Sequence, residues 1–239
     1  AALAQRGIEA TVDEVGCIGL CYAEPLLDVV VAGEPRLLFR NISPEDIPGV
    51  LDSYISNGER THPKLFGSLG APVRSEVTNL ETLPVMSLQQ RIVLRNAGNI
   101  APGDIYQYVA NGGYAALNKV VYQMSPESVI KEITDSGLRG RGGAAFPTGV
   151  KWGFMSRPTP GLDKYILCNC EEGDPGAYND KGILESDPHT LLEGMLLAGY
   201  ATGANSGYVF IRHGHDGPIE RTWQAIHQAR DLGILGDDI

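Results

Sequence analysis

The chain has 239 residues, of which 43% are hydrophobic and 20% charged, a composition typical of a folded soluble protein. Its formal net charge of -10 at pH 7 repels phosphate backbones, so nucleic acid is excluded as an expected partner. The longest candidate for a membrane span, residues 191–200, is too short, so direct membrane insertion is not expected. The chain has only 4 cysteines. This low number argues against a secreted disulfide framework and favours a cytoplasmic protein with reduced or metal-bound thiols.

The first predicted region, residues 1–56, combines short strands with one helix. The predicted strands are residues 8–12, 26–32 and 36–40, the last two forming a hairpin. Ser43 and Pro44 predict a helix start, with Asp46 placed as the acid of a capping box. This order of strands followed by a helix resembles the last half of a thioredoxin-like fold.

Residues 57–100 are rich in Pro, Gly, Ser and Thr, and we predict a linker there. The remainder, residues 101–239, alternates helices and strands, which predicts an α/β domain with a largely parallel sheet. The predicted helices are residues 105–120, residues 126–136, one begun by Asp187 and Pro188, and a last one with Ile219, Trp223 and Ile226 as its buried stripe. The predicted strands are residues 165–170 and 208–212. Because no initiating Met and no closing strand are seen, we expect the sequence to be truncated at both ends.

The most informative stretch is the glycine-rich segment 137–152, which reads GLRGRGGAAFPTGVKW. It contains Arg139, Arg141 and Lys151 but no acidic residue, which reverses the charge of an otherwise acidic chain. Glycine lets backbone N–H groups approach an anion closely, and a helix beginning near Lys151 would point its amides to the same place. The segment therefore predicts a phosphate or pyrophosphate site.

Other interpretations of this segment fit less well. Gly140, Gly142 and Ala145 match a dinucleotide fingerprint loosely, but a predicted helix precedes them where that fingerprint requires a strand. The phosphate loop GxxxxGK[ST] is absent. A flexible linker is the alternative from composition, although linkers seldom contain residues as bulky as Phe146 and Trp152.

Residues 136–152 resemble the FMN loop of the NADH-binding flavoprotein subunit of respiratory complex I and of NAD-linked hydrogenases and formate dehydrogenases. The family pattern is close to SGLRGRGGAGFPTGxKW, and the one departure is Ala145, where glycine is usual. The resemblance implies an α/β fold in which a partial thioredoxin-like ferredoxin domain (residues 1–56) precedes an incomplete Rossmann-like FMN-binding α/β domain (residues 101–239). The residues that it assigns to FMN are Gly140, Arg141, Gly142, Gly143 and Lys151. Those that it assigns to the NADH substrate in this loop are Phe146 and Lys151.

A second polar segment, residues 168–178, reads CNCEEGDPGAY and follows a predicted strand. Ligands of open α/β sheets lie beyond the carboxyl ends of strands, where carboxylates can accept hydrogen bonds from ribose or ribityl hydroxyls or bind a metal. A solvated acidic turn is the alternative. The segment is similar to the family loops CNADESEPG and CNxDEGDPG. The resemblance implies that Asn169 and Glu171 contact the FMN ribityl or phosphate, with Glu172 and Asp174 near the isoalloxazine and the nicotinamide ribose.

Cys17 and Cys21 form a C-x3-C spacing in a loop between two predicted β runs. Thiolates at this spacing can hold one iron of a [2Fe–2S] cluster, which needs four ligands, and a pair of buried thiols is the alternative. The segment resembles the second half of the thioredoxin-like [2Fe–2S] domain associated with the same flavoprotein family, whose pattern is GCxGxCxxxPxVxV. The resemblance puts Cys17 and Cys21 at metal-ligand positions, with the other two ligands expected before Ala1.

The remaining cysteines and histidines receive structural interpretations. Cys168 and Cys170 lie at a strand end, and we predict that their thiols point to opposite faces. His189 follows Pro188 and is interpreted as a helix-start residue. A metal at His213 and His215 is not favoured.

These resemblances predict an NAD(H)-dependent FMN oxidoreductase, a subunit of an NADH-oxidising complex of the NADH dehydrogenase, NAD-reducing hydrogenase or formate dehydrogenase type. Hydride would pass from NADH to FMN, and single electrons onward to iron–sulfur clusters, so no protein side chain is assigned a catalytic role. The implied partners are other electron-transfer subunits with iron–sulfur clusters, and the implied location is cytoplasmic, peripheral to a membrane complex. The alternative is a non-catalytic nucleotide-binding or assembly module that retains the glycine loop.

Overall fold

The computed structural model describes residues 1–237, which form two compact units. The first unit comprises residues 1–13 and 17–92, and the second comprises residues 14–16 and those from 93 onward. The last two residues of the predicted flavodomain, 238 and 239, lie outside the described residues. Helices and strands occur in both units, which confirms the predicted mixed α/β class.

The first unit is built on an antiparallel sheet of three strands in the order β1–β2–β3. The strands are β1 Leu27–Val29, β2 Arg36–Phe39 and β3 Leu65–Leu69. Leu27 pairs with Phe39 across the β1–β2 connection, so the predicted hairpin is confirmed with shorter strands. Because successive side chains of a strand point to opposite faces, Leu37 packs with Val50 on one face and Leu38 with Leu80 on the other.

Residues 57–92 belong to this first unit, so the structure contradicts a linker there. The composition was misleading because β3 contains Gly67, whose backbone lies very close to the neighbouring chain. A Cβ atom at Gly67 would lie 2.5 Å from the carbonyl oxygen of Thr78. Only glycine has room at this close contact between the two backbones. Because glycine is more typical of loops than of strands, the sequence pattern predicts a loop here.

The helices of the first unit are short. They are α1 Ala2–Gln5, α2 Ile47–Val50, which continues into a π-helical segment Leu51–Ser56, α3 Pro84–Ser87, and the 3-10 turns Cys21–Ala23 and Leu80–Thr82. The predicted helix start at Pro44 is three residues early, because Asp46 accepts hydrogen bonds from the backbone N (2.8 Å) and Oγ of Ser43 and closes a turn there. The predicted strand at residues 8–12 is wrong: those residues are irregular and mostly exposed, without a partner strand in the described chain.

The second unit packs helices around a parallel pair of strands. Its helices are α4 Ile105–Ala110, α5 Ala115–Gln123, α6 Pro126–Asp135, α7 Thr148–Met155, α8 Asn179–Ser186, α9 Pro188–Thr202 and α10 Asp216–Asp231. Its strands are β4 Tyr165–Cys170 and β5 Ser206–Ile211. They pair in parallel with Asn169 opposite Phe210, which confirms both predicted strands and their direction. Within residues 1–237, no helix is both long and apolar enough to cross a bilayer.

Two helix starts in this unit follow the sequence prediction. Ser125 accepts a hydrogen bond from the backbone N of Ser128 at 3.3 Å and caps α6. Asp187 accepts one from the backbone N of Thr190 at 3.2 Å and caps α9. Short polar side chains at these positions satisfy amides that have no acceptor within the helix.

The predicted helix over residues 105–120 is interrupted, and this part of the prediction is wrong. Gly112 and Tyr114 adopt positive φ values of 87° and 58° between α4 and α5. A Cβ atom at Gly113 would lie 2.1 Å from the ring of Tyr108, so glycine makes room for this buried ring. The two adjacent glycines thus allow a turn that helical periodicity alone does not reveal.

The buried face of α10 also differs from the predicted stripe. Small residues form it, namely Pro218, Thr222, Ala225 and Ala229. Trp223 is 56% exposed, whereas Ile219 and Ile226 are half-buried. Small side chains let α10 lie close to α8 and α9, which decides the rotation of the helix more than the size of its apolar residues does.

A buried polar cluster joins α4 and α5 to α9. The carboxylate of Glu193 accepts hydrogen bonds from the Tyr108 hydroxyl, from the Tyr114 backbone N at 2.9 Å and from the Leu117 backbone N at 3.1 Å. The Tyr114 hydroxyl bonds Nδ1 of His189 at 2.9 Å. His189 is only 2% exposed, so its role goes beyond the predicted position at a helix start.

Burial lowers the pKa of His189, although a hydrogen bond from its Nε2 to Gln228 (3.0 Å) opposes the shift. The folded protein therefore holds the ring neutral, while the unfolded chain takes up a proton at the ordinary value near pH 6.5. The stabilisation is complete above that pH and is lost as the pH falls through 6.5 toward the lower folded pKa. We expect the free energy of unfolding, measured in urea, to fall in this range less steeply for His189→Gln than for the unsubstituted protein. The exposed His227→Gln is the control, and an equal acid slope in all three proteins would contradict the prediction.

Gly149 on α7 faces Thr134 of α6. A Cβ atom at Gly149 would lie 2.2 Å from Oγ1 and 2.7 Å from Cα of Thr134. We expect Gly149→Ala to lower the free energy of unfolding by about 1–3 kcal/mol, because the two helices must separate. Gly153→Ala on the same helix is the matched control, since its Cβ would meet its nearest atom, on Ile130, at 4.0 Å. Urea unfolding of both variants measures the difference, and equal stability would refute the packing argument.

Candidate functional site

The glycine loop, residues 139–147, is a closed hairpin directly before α7. Arg139 and Pro147 form an antiparallel bridge, and the backbone N of Gly140 donates to the carbonyl oxygen of Phe146 at 2.9 Å. Beyond it, the backbone N of Thr148 donates to the carbonyl oxygen of Leu138 at 2.9 Å. The segment is therefore a folded connection between α6 and α7 and not an extended linker.

The outer edge of the glycine loop offers donors that the chain does not use. The backbone N–H groups of residues 141–145 have no acceptor within the described chain. A Cβ atom at Gly142 would meet nothing within 4 Å, so this edge is open. Consecutive backbone amides without acceptors at an open edge can bind an anion.

The cations in the loop and in the first turn of α7 have two roles. Arg139 holds the loop closed, since its Nη1 donates to the carbonyl oxygen of Ala145 at 3.0 Å. Arg141 and Lys151 are exposed, and neither makes an ion pair with any residue between 1 and 237. Two unpaired cations beside open amides fit a phosphate group.

Ala145 adopts a positive φ of 49°. This conformation costs a non-glycine residue about 1 kcal/mol, which explains why the resembling family has glycine at this position. Gly143, with φ of 94°, meets the same requirement without strain. Phe146, at the end of the loop, is 48% exposed and free to pack against a ligand.

The acidic loop, residues 169–178, leaves the carboxyl end of β4. Its backbone turns at Glu172, which has a positive φ of 43°. The Glu172 carboxylate accepts from the backbone N of Asn179, of Asp180 (2.9 Å) and of Lys181 (2.8 Å), and thereby caps α8. Burial opposes ionisation, but these three N–H donors outweigh it and hold the pKa of Glu172 below its usual range.

Glu171 is held by a residue that sequence reasoning did not assign. Its Oε1 lies 3.3 Å from Nη1 of Arg212, and its Oε2 accepts from the backbone N of Gly173 at 2.8 Å. Arg212 also donates to the carbonyl oxygen of Gly173 at 3.1 Å. The sequence could have indicated this ion pair. Arg212 follows β5, and parallel strands bring their carboxyl ends to the same edge of a sheet.

The other predicted contacts of this loop are exposed. Asn169 lies at the end of β4, and its Oδ1 accepts from the backbone N of Glu171 at 3.3 Å. Asp174 accepts from the backbone N of Gly176 at 3.2 Å. Within the described residues, no hydrogen bond or ion pair joins the acidic loop to the glycine loop.

Cys168 and Cys170 do not point to opposite faces, and that prediction is wrong. Their Sγ atoms lie 3.5 Å apart. Residues two apart in a strand project to the same face, since the side-chain period is two.

In the first unit, Cys17 and Cys21 come together in an exposed loop. Their Sγ atoms are 4.0 Å apart, and Oε1 of Glu24 is 3.3 Å from Sγ of Cys17. Two thiolates about 2.3 Å from one tetrahedral metal lie about 3.8 Å apart, so the pair fits a shared metal ion. These three residues are the one potential metal-ligand group among the described residues. Desolvation is the main cause that raises the pKa of the Cys17 thiol to about 11, and the Glu24 carboxylate adds to it.

A parallel strand pair, a glycine loop with open amides before a helix and a polar loop at the carboxyl end of a strand are features that nucleotide-binding α/β proteins share. Residues 133–236 match the family of the Nuo51 FMN-binding domain. The matched stretch contains the glycine loop, the acidic loop and both strands of the second unit, and it confirms the resemblance carried by the glycine loop.

Two relatives are similar to this chain in sequence, and one solved structure aligns with it. The NADP-reducing hydrogenase subunit HndC of Solidesulfovibrio fructosivorans is 46% identical over 151 residues, 63% of this chain and 30% of that protein. An NADH-quinone oxidoreductase subunit of Rhizobium meliloti is 43% identical over 146 residues, 61% of this chain and 34% of that protein. The chain thus spans about a third of the length of these relatives. An NAD+-reducing [NiFe]-hydrogenase, solved in its air-oxidised state, aligns over 98% of this chain and 37% of its own, with 19% identity and a TM-score of 0.48.

Proposed function

We propose that this chain supplies the FMN- and NADH-binding part of an NADH-oxidising flavoprotein subunit. The observation that carries the proposal is the open edge of the glycine loop, where the unpaired amides of residues 141–145 adjoin the unpaired cations Arg141 and Lys151. In a chain with a net charge of -10, this edge is a local concentration of positive charge and free N–H donors, which favours binding of an anion there. The family match of residues 133–236 supports FMN as that anion.

Each predicted contact has a physical role in this proposal. Gly140, Gly142 and Gly143 admit the phosphate to the backbone, while Arg141 and Lys151 neutralise it. Phe146 packs on the nicotinamide nucleotide, and Lys151 also faces that substrate.

The acidic loop supplies the hydroxyl contacts in this proposal. Asn169 and Glu171 accept hydrogen bonds from the ribityl chain, and Asp174 accepts them from the nicotinamide ribose. Because the Glu172 carboxylate is engaged with the amide groups of α8, we propose that it acts at the flavin by fixing the loop backbone. Arg212 joins the site as a positioning residue through its ion pair with Glu171.

The bound flavin would supply the chemistry, taking hydride from NADH and passing single electrons onward. The chain's own groups bind and orient the two nucleotides and exclude water from the face between them. The Cys17 and Cys21 pair would provide two ligands to a [2Fe–2S] cluster in the first unit.

The relatives are named as subunits of NADH-quinone oxidoreductases and of a hydrogenase, which supports other electron-transfer subunits with iron–sulfur clusters as partners of this chain. We place the protein in the cytoplasm, peripheral to such a complex. NADH dehydrogenase and NAD-reducing hydrogenase types both fit the relatives, and the formate dehydrogenase type rests on the loop resemblance.

The test is the absorbance spectrum of the purified protein after FMN is added and excess removed. We expect a retained flavin spectrum that NADH bleaches in the absence of oxygen. Retained flavin that NADH does not bleach would instead indicate a non-catalytic nucleotide-binding or assembly module. If the folded protein, with its thiols reduced, does not bind FMN, the proposal is overturned.

A further inference from the structure

The two thiols at the carboxyl end of β4 form a pair that the proposed flavin chemistry does not use. Both are free, and their sulfur atoms are already 3.5 Å apart on the same face of the strand. Cys168 is partly accessible, whereas Cys170 is 7% exposed. Asn169 lies between them and is exposed.

We propose that Cys168 and Cys170 are a reversible dithiol–disulfide site, with Cys168 as the thiol that a peroxide oxidises and Cys170 as the thiol that resolves it. The assignment follows from access, because an incoming oxidant reaches Cys168 and not the buried Cys170. The hydrogen bond between the thiols supports it, since it lowers the pKa of Cys168 and raises that of Cys170. The negative charge of Asp180 raises the pKa of both thiols, and that of Glu172 also raises the pKa of Cys170.

The oxidation balances with hydrogen peroxide as the two-electron oxidant. The Cys168 thiolate attacks one peroxide oxygen, so an S–O bond forms, the O–O bond breaks, and the leaving hydroxide takes up the thiol proton as water. Cys170 then attacks the sulfenic sulfur: the S–S bond forms, the S–O bond breaks, and a second water leaves with the Cys170 proton. A thiol reductant reverses the reaction by thiol–disulfide exchange.

Formation of this disulfide would change the shape of the backbone at the end of β4. Cα atoms two apart in a strand are about 6.6–6.8 Å apart, at the upper limit for disulfides, which favour about 5.5–6 Å, so bond formation favours contraction at the end of β4. The contraction moves Asn169, which lies opposite Phe210 in the ladder with β5, and weakens the hydrogen bonds there. Strain of this kind makes the bond easy to reduce, which suits a reversible site.

The experiment uses the full chain with Cys17→Ser and Cys21→Ser, because those thiols are also close together. The flavin-free protein is treated with hydrogen peroxide, digested with trypsin without reductant, and analysed by mass spectrometry. We expect the peptide of residues 165–181 to become lighter by two hydrogens and to recover after dithiothreitol. Peptide with both thiols still alkylatable, or with sulfinic acids and no disulfide, would overturn the proposal.

Two variants test the assignment of roles. Cys170→Ser is expected to accumulate a sulfenic acid at Cys168 that dimedone traps, while Cys168→Ser is expected to leave Cys170 unreactive. Equal reaction of the two variants would overturn the assignment. Hydrogen exchange of the backbone amides of β4 should accelerate on oxidation, and unchanged exchange would refute the contraction.

These readouts need no flavin and are independent of the proposed function. A further consequence rests on the proposed function: FMN should bind the oxidised protein about tenfold more weakly, the loss expected for one hydrogen bond at Asn169. Failure of the reduced protein to bind FMN would count against the function, whereas disulfide formation without loss of affinity would count against this consequence.

Discussion

Gly142→Val is expected to weaken FMN retention by at least about 100-fold, the loss of two hydrogen bonds to a charged group. A Cβ atom at Gly142 meets nothing within 4 Å in the folded chain, so the substitution leaves the fold intact. The isopropyl group would instead occupy the open edge where the phosphate must approach the amides of residues 141–145. The binding constant from FMN fluorescence quenching measures the effect.

The matched control for this variant is Gly194→Val on α9. This glycine is exposed, and its Cβ also meets nothing within 4 Å, but it lies outside the glycine loop and the acidic loop. We expect normal FMN affinity for the control and unchanged urea unfolding curves for both variants beyond the small propensity effect of valine in a helix. Normal flavin occupancy in Gly142→Val would remove the glycine loop from the phosphate site.

Glu193→Ala is expected to lower the free energy of unfolding by about 3 kcal/mol or more, since it opens a cavity and leaves buried donors without an acceptor. The donors are the Tyr108 hydroxyl and the backbone N–H groups of Tyr114 and Leu117. The backbone donors lie at the start of α5, so that helix should fray first. Urea unfolding followed by circular dichroism gives the total loss.

Two further variants separate this burial effect from the loss of a charge. Glu132→Ala removes an exposed carboxylate that lies 3.4 Å from Nζ of Lys119, and we expect a change within about 0.5 kcal/mol. Glu193→Gln keeps one acceptor oxygen but turns an NH2 group toward the donors, so its stability should lie between those of the unsubstituted protein and Glu193→Ala. A loss for Glu193→Ala no larger than that for Glu132→Ala would contradict the buried network.

Local patterns predicted much of the second unit. The strand at Tyr165–Cys170 and the caps at Ser125 and Asp187 are confirmed, because apolar runs and short polar cap residues act over a few neighbours. The glycine-loop resemblance is confirmed by the family match of residues 133–236. The ligand roles of individual residues stay predictions, as does the thioredoxin-like nature of the first unit.

The errors occurred where packing contacts between particular residues, and not local residue preferences, decide the structure. Gly67 reads as loop but lies in β3, because the nearby backbone of Thr78 leaves no room for a side chain. The turn that splits the predicted helix 105–120 depends on the ring of Tyr108 against Gly113. Trp223 was assigned to the buried stripe of α10 on its size, although smaller residues fit the close approach of the neighbouring helices.

By itself, the sequence determined the chemistry that the site can offer: glycines and cations without acids at residues 137–152, and acids after a strand at residues 169–174. The tertiary structure decided which of these groups are available. It left the amides of residues 141–145 open, engaged Glu172 with α8 and Arg139 with its own loop, and brought two thiols within 3.5 Å. The identity of a residue determines what its side chain can bind. Whether that group is available depends on the partners that the fold places within hydrogen-bond distance. Those partners are distant in sequence or set by backbone geometry.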